Sequence, residues 1–171
     1  MPVGMASLAD VFRVLEEMRA TRVVTDYAIG GATAVLFYAE PTRTYDLDVF
    51  VSLPFGGAEL APLSGVYEWT SAKGFTSVAE HVMIHGVPVQ FLPTPNALAE
   101  EAIREARDLH YDGVNVRVID PEHLVALALQ AGGARRRERA WQLFEAGQID
   151  RDRLRKLLST HSISATIPDD V

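Results

Sequence analysis

Apolar positions recur along this chain with two periods, near 3.6 and near 2, and the switches between them set out the elements. From Ser7 to Ala20 they fall at Leu8, Val11, Phe12, Leu15 and Met18, one stripe of an amphipathic helix with Ser7 as its N-cap. Val23 to Ile29 reads as a first strand. Gly30 and Gly31 then turn the chain into a helix from Ala32 to Tyr38, with Val35, Leu36 and Tyr38 inward, and Pro41 ends it. Asp46 to Val51 is a second strand. Glu59 to Lys73 predicts a helix that stops at Gly74. Phe75 to Val82 and Val87 to Leu92 read as two strands joined at His85-Gly86, a hairpin. Asn96 caps a helix running to Asp108, with Ala99, Ala102, Ile103 and Ala106 apolar, and Val114 to Ile119 is the last strand. Pro121-Glu122 opens a helix to Gln130. Gly132-Gly133 breaks the run before a helix from Ala134 to Ala146, and Asp150 caps a final one from Arg151 to Thr160. From Ser162 the sequence reads as a frayed tail.

This order predicts an α/β (α+β) fold: a mixed sheet carrying Val23–Ile29, Asp46–Val51 and Val87–Leu92, flanked by helices. The expected organisation is a core over 1–120, C-terminal helices over 121–161 packed on it, and a flexible tail over 162–171. The chain has 171 residues, 48% of them hydrophobic, enough for one domain with a sizeable core. Its apolar runs fall short of the ~20 residues that span a bilayer. The N-terminal stretch lacks the basic and apolar regions of a signal peptide, and cysteine is absent. Both point to a cytoplasmic protein without disulfides or thiolate zinc, and away from a membrane. The net charge of −7 argues against nonspecific coating of nucleic acid. The charge is uneven, however, with a basic cluster at Arg135, Arg136, Arg137 and Arg139.

Asp46 and Asp48 stand in an otherwise apolar strand. Alternation puts them on one face, roughly 7 Å apart at Cα from a rise of about 3.3 Å per residue. Paired carboxylates at that spacing suit a hard divalent cation, and equally suit a strand end facing water. Gly30-Gly31 before a helix offers free N–H groups and a positive dipole end to a phosphate, or simply a tight turn. Together, a phosphate cradle and a metal pair are what handling a nucleoside triphosphate requires. Arg43 and Thr44, in the loop before Asp46, are either phosphate contacts or solvated loop residues. Glu122 and His123 read more simply as cap and dipole partners than as catalytic groups. The five histidines show no metal-ligand spacing.

Gly30-Gly31 followed by Asp46-x-Asp48 on the next strand resembles the polymerase-β-like nucleotidyltransferase superfamily. IGGATAVLFY, TYDLDVFV, GVPVQFLP and VRVIDPEHLVALAL resemble, more closely, the branch of AbiEii-type abortive-infection toxin nucleotidyltransferases and their bacterial relatives, over about Leu8 to His161. The resemblance implies a Mg2+-dependent site with Asp46 and Asp48 as ligands and catalytic carboxylates, and nucleotide contacts at Gly30, Gly31, Arg43, Thr44 and Arg135. It also implies a third carboxylate on a neighbouring strand. Alternation along Val87–Leu92 puts Gln90 in that place, where it offers an amide oxygen without charge. Where relatives carry Gly-Arg-x-Lys-Asp, this chain has Gly133 for the arginine, Arg135 for the lysine and Arg136 for the aspartate. Arg135 keeps a cation for a triphosphate, or lies on a solvated basic face.

Two functions follow as expectations. In one, an enzyme transfers a nucleoside monophosphate from an NTP to an acceptor hydroxyl, on tRNA or protein. In the other, Gln90, Gly133 and Arg136 mark a fold that has lost turnover and serves as a nucleotide-binding or regulatory module beside a partner protein, as in a toxin–antitoxin pair.

Overall fold

In the computed structural model, which describes residues 5–39, 46–54 and 61–168, one seven-stranded mixed sheet carries the chain. The elements in order are α1 (Met5–Ala20), β1 (Asp26–Gly30), α2 (Gly31–Leu36), β2 (Leu47–Ser52), α3 (Ser64–Ala72), β3 (Thr76–Val78), β4 (His81–Ile84), β5 (Val87–Pro93), α4 (Ala97–Arg104), β6 (Arg107–Tyr111), β7 (Val114–Val118), α5 (Pro121–Ala131), α6 (Ala134–Glu145) and α7 (Arg151–Thr160). Strand order across the sheet is β3-β4-β5-β2-β1-β7-β6. β2 is central, antiparallel to β1 and parallel to β5, while β1 runs parallel to β7. The glycine turn and the Asp-x-Asp strand therefore sit side by side at mid-sheet.

The two faces of the sheet divide by alternation. Leu47, Val49 and Val51 of β2 share a face with Tyr27 and Ile29 of β1, and all five are buried. Helix α1 covers that face: the Tyr27 hydroxyl donates to Glu16 Oε1 at 2.6 Å and accepts from the Arg117 backbone N–H at 3.3 Å. Phe12, Leu15 and Met18, predicted to face inward, are fully buried. Each such side chain contributes on the order of 1.5–3 kcal/mol through burial. Asp48 and Phe50 point to the opposite face, which α4, α5 and α6 overlie.

Several elements differ from the sequence expectation. Strand β1 begins at Asp26 rather than Val23, β2 at Leu47 with Asp46 in a bend before it, and α3 at Ser64 rather than Glu59, with 61–63 outside the helix. The helix expected over Asn96–Asp108 ends at Arg104, and Arg107–Tyr111 is instead strand β6, the antiparallel edge partner of β7. Asp112-Gly113, with φ of +48° and +75°, makes the two-residue hairpin turn between them. That turn outweighs a sequence, Arg-Asp-Leu-His-Tyr, with no β-branched residue. The strand expected over Phe75–Val82 is two strands, broken at Ala79 with φ +53°. Three caps lie where predicted or one residue before the predicted start: Asn96 accepts from Ala99 N–H, Asp120 from His123 N–H and Asp150 from Arg153 N–H. Beyond α7, Ile163 and Ile167 pack against the core, and the Arg151 guanidinium donates to the Pro168 carbonyl.

Candidate active site

The site forms where β1 ends. Gly30 pairs with Asp48 across the β1–β2 ladder, and Asp48 pairs with Gln90 across β2–β5. Gly31 then turns with φ +59° into α2. A Cβ on Gly31 would lie 2.3 Å from Asp48 Oδ2, and one on Gly30 would lie 2.6 Å from the Phe50 ring. Both glycines are thus required by close approach, and Gly31 also by its left-handed backbone. The turn and the aspartate occupy one another's space. Gly31→Ala should destabilise the fold by roughly 1–3 kcal/mol from the backbone alone and push the Asp48 carboxylate aside. A denaturant melt and metal titration check this; unchanged metal binding in a folded Gly31→Ala protein would contradict it.

Asp48 borders a cleft of about 520 Å3 between the sheet and helices α4, α5 and α6. Phe50, Leu92, Ala99, Leu124, Ala128 and Leu143 give it mostly apolar walls. Arg136 and Arg139, one turn apart on α6, line it as well; both are exposed, and the Arg136 guanidinium donates to the Gly132 carbonyl at 3.3 Å. Burial raises the Asp48 carboxyl above its ordinary value, and the Asp46 charge adds to that. Arg139, His81 and Arg136 pull the other way without cancelling it. The floor of the cleft therefore carries negative charge that the protein only partly compensates.

Asp46 precedes β2 with its side chain half exposed, and its backbone carbonyl accepts from the Thr33 hydroxyl at 3.1 Å. His81 Nε2 lies 3.5 Å from Asp46 Oδ2. The structure therefore brings together Gly30, Gly31, Asp46, Asp48 and Gln90. Arg135, Arg136 and Arg139 are all exposed; Arg136 and Arg139 line the cleft and Arg135 does not. Arg43 and Thr44 lie outside the described residues. The signal that finds Arg136 and Arg139 is buried Leu143: positions seven and four residues before it share its helical stripe.

Glu122 and His123 are buried, away from the cleft lining, in a network of protein partners. Asp120 accepts from both the backbone and Nδ1 of His123 at 2.9 Å, and from Arg153 Nη2 at 2.8 Å. Glu122 accepts from Arg153 Nη1 at 2.6 Å and from the Asp150 backbone N–H at 2.8 Å. Glu101 Oε2 faces Nε2 of both His123, at 3.1 Å, and His161, at 2.8 Å. Glu105, Asp120 and His123 have ligand atoms within 4.8 Å of one another, as a metal site would. The Arg153 guanidinium, bonded to Asp120 and to Glu105, already supplies the cation there. This cluster ties α4, α5 and α7 together and so fixes the helices that roof the cleft.

No protein-family model matches the chain, and no curated protein matches it by sequence. Solved structures do match. An antigenic nucleotidyltransferase-like protein from Paracoccidioides brasiliensis superposes with a TM-score of 0.57 at 15% identity, over 94% of this chain and 89% of that one. The solution structure of the antibiotic-resistance factor ANT(2'')-Ia gives a TM-score of 0.56 at 12% identity, over 93% of both chains. A crystal structure of ANT(2'')-Ia in complex with adenylyl-2''-tobramycin gives 0.54 at 12%, over 91% and 97%. This chain has the nucleotidyltransferase fold. No helix among the described residues is long and apolar enough to cross a membrane.

Proposed function

We propose that this protein is a divalent-cation-dependent nucleotidyltransferase that moves a nucleoside monophosphate from an NTP to an acceptor hydroxyl. One observation carries the reading: Asp48, seated against Gly31, lines one cleft with Arg136 and Arg139, and that cleft is large enough for a nucleotide. In the reaction a bond forms between the acceptor oxygen and the α-phosphorus, the α–β bridging bond breaks, and pyrophosphate leaves. Asp46 and Asp48, with Gln90 beside Asp48 in the strand register, offer hard oxygen donors that fit Mg2+, and a cation there would offset the repulsion from Asp46 that adds to the effect of burial on Asp48. Mg2+ bound there would supply charge stabilisation at the attacking and leaving oxygens. The chain's own parts bind and orient. Gly31 keeps the helix entrance open, Arg136 and Arg139 neutralise phosphate oxygens, and the apolar walls hold the base and exclude water.

The cleft also bears on the acceptor. ANT(2'')-Ia carries an adenylyl-tobramycin, a polycationic aminoglycoside adduct. Among the described lining residues here, Asp48 is the lone carboxylate and two are arginines, a poor match for a polycation. We read the acceptor as a neutral or anionic hydroxyl, such as the end of a tRNA or a protein side chain. Membership of the abortive-infection toxin branch and a cytoplasmic location belong to the same reading.

The test is binding and transfer with α-labelled NTPs. Arg136→Ala with Arg139→Ala should weaken Mg-NTP binding tenfold or more, since hydrogen bonds to charged groups are worth about 1.5–3 kcal/mol and about 1.4 kcal/mol is tenfold. Metal affinity without nucleotide should hold or rise, because two competing cations are gone. Unchanged NTP binding in the double variant would overturn the assignment. A second reading, a nucleotide-binding or regulatory module without turnover, is favoured by Gln90, which the strand register sets beside Asp48 where a third carboxylate is expected. NTP binding without any label transfer to tRNA or protein would select it.

A further inference from the structure

His81 is far from Asp46 in sequence, yet the sheet brings it to the metal pair. Val82 pairs with Val89 in the antiparallel β4–β5 ladder, so the next step sets His81 opposite Gln90, which in turn pairs with Asp48. Opposed residues share a face, and the row across the sheet is Gly30, Asp48, Gln90, His81. The His81 side chain is 23% exposed, and its Nε2 is buried without a hydrogen-bond partner among the described residues.

The 3.5 Å from Nε2 to Asp46 Oδ2 is longer than an ordinary N–H···O hydrogen bond of about 2.7–3.2 Å. It is close to the separation of two donors bound to one cation. Ligand distances of about 2.1 Å put such donors about 3.0 Å apart at an octahedral angle and about 3.4 Å apart at a tetrahedral one. On the other side of the ring the Glu80 carboxylate lies 3.8 Å from Nδ1. That is beyond hydrogen-bond reach, so Glu80 is a nearby charge on the side of the ring away from Nε2 and not a fixed orienting partner.

We propose that His81 Nε2 is a metal ligand, supplying with Asp46 and Asp48 the third strong donor that neutral Gln90 does not. The inference rests on the reading of Asp46 and Asp48 as ligands. It adds a consequence for metal choice. Two carboxylates and an amide oxygen suit Mg2+ and Mn2+ alike, whereas an imidazole nitrogen in the set favours Zn2+ most and Mn2+ over the harder Mg2+.

The experiment uses the full chain with Mn2+, Zn2+ and Mg2+ as probes and no nucleotide. Titration calorimetry should show Mn2+ binding at least tenfold tighter than Mg2+. Electron spin-echo modulation of bound Mn2+ should show coupling to a nitrogen nucleus. His81→Ala should remove that coupling and cost tenfold or more in Mn2+ and Zn2+ affinity, with Mg2+ affinity changed no more than threefold. Bound Mn2+ without nitrogen coupling in the unaltered protein overturns the proposal, whether or not the variant folds. So does a folded His81→Ala protein with full Mn2+ affinity, in which case the His81–Asp46 contact is an ion pair only. Asp48→Asn separates the two levels. If it leaves Mn2+ binding intact, the carboxylate site itself is wrong. If it abolishes binding while His81→Ala does not, only the role of His81 fails.

Discussion

Asp48→Asn should abolish nucleotidyl transfer and the stabilisation by Mg-NTP, while making the ligand-free protein more stable. The two effects have one cause. Burial and the Asp46 charge raise the Asp48 carboxyl above its ordinary value. A carboxyl whose folded value is raised favours folding in its neutral form, and that contribution is lost as pH rises through the raised value. At neutral pH the ionised Asp48 is therefore a cost to the ligand-free fold, and the isosteric amide removes it. With cation and nucleotide the balance inverts. A ligand that binds only the native state adds RT ln(1 + [L]/Kd), about 2.7 kcal/mol at a hundredfold excess over Kd. The check is a thermal melt of both proteins with and without Mg-NTP. The expected pattern is a higher melting temperature for Asp48→Asn alone and no shift on adding Mg-NTP. Equal shifts in the two proteins would remove Asp48 from the site.

Arg153→Ala should destabilise the fold far more than truncating a part-exposed side chain ordinarily does. Arg153 is itself 40% exposed, but it compensates Asp120 and Glu122, whose side chains are each 3% exposed. Removing one partner of a buried ion pair costs about 3–5 kcal/mol, because the remaining charge stays buried unpaired. Solvent at Arg153 and the retained His123 partner reduce this to on the order of 2–4 kcal/mol. The same cluster predicts a pH profile. Burial pushes the Asp120 carboxyl up, but hydrogen bonds from His123 and Arg153 override it and hold the group down at about 2. Its contribution is complete above the ordinary value of 3.8 and disappears as pH falls towards about 2. For His123 burial acts downward, while Asp120 and Glu101 outweigh it and raise the imidazole above 6.5. Its contribution is complete below 6.5 and is lost as pH rises through the raised value. Stability from this cluster should thus peak between about pH 4 and 6.5. Urea midpoints across pH for the unaltered protein and Arg153→Ala test it: the variant should start lower and vary less. A variant within 0.5 kcal/mol of the unaltered protein, by a linear extrapolation of about that precision, would show that the cluster is not stabilising.

The parts legible in the sequence are those that short-range chemistry fixes. Asp48 takes the face that strand alternation gives it, with Asp46 in the bend just before β2, and Gly30-Gly31 marks a turn because its backbone and its neighbours exclude a side chain. Asn96, Asp120 and Asp150 accept hydrogen bonds from the first-turn N–H groups of α4, α5 and α7, groups that every helix leaves unsatisfied. Gln90 was placed beside Asp48 by alternation, and the β2–β5 register agrees. His81 was not singled out by its spacing; the β4–β5 register sets it opposite Gln90 and beside Asp46.

Packing decided the rest. Arg135, Arg136, Arg137 and Arg139 are equivalent as a charge cluster, and their order along the chain does not say which enter the cleft. The buried Ala140 and Leu143 set the rotation of α6 and bring Arg136 and Arg139, both still exposed, to the cleft edge, while the equally exposed Arg135 lies off it. Likewise Glu122 and His123 sit at a helix start where a cap and a charge suffice to explain them. Their partners Glu101, Arg153 and His161 come from other helices. Sequence by itself therefore determined most of the elements, though not strand β6 or the break at Ala79, and with them the glycine turn and the carboxylate pair, because each is set within a few residues. Tertiary structure alone decided which cations line the cleft and which acids are buried, because those depend on helix rotation and sheet register, which bring distant residues to one place.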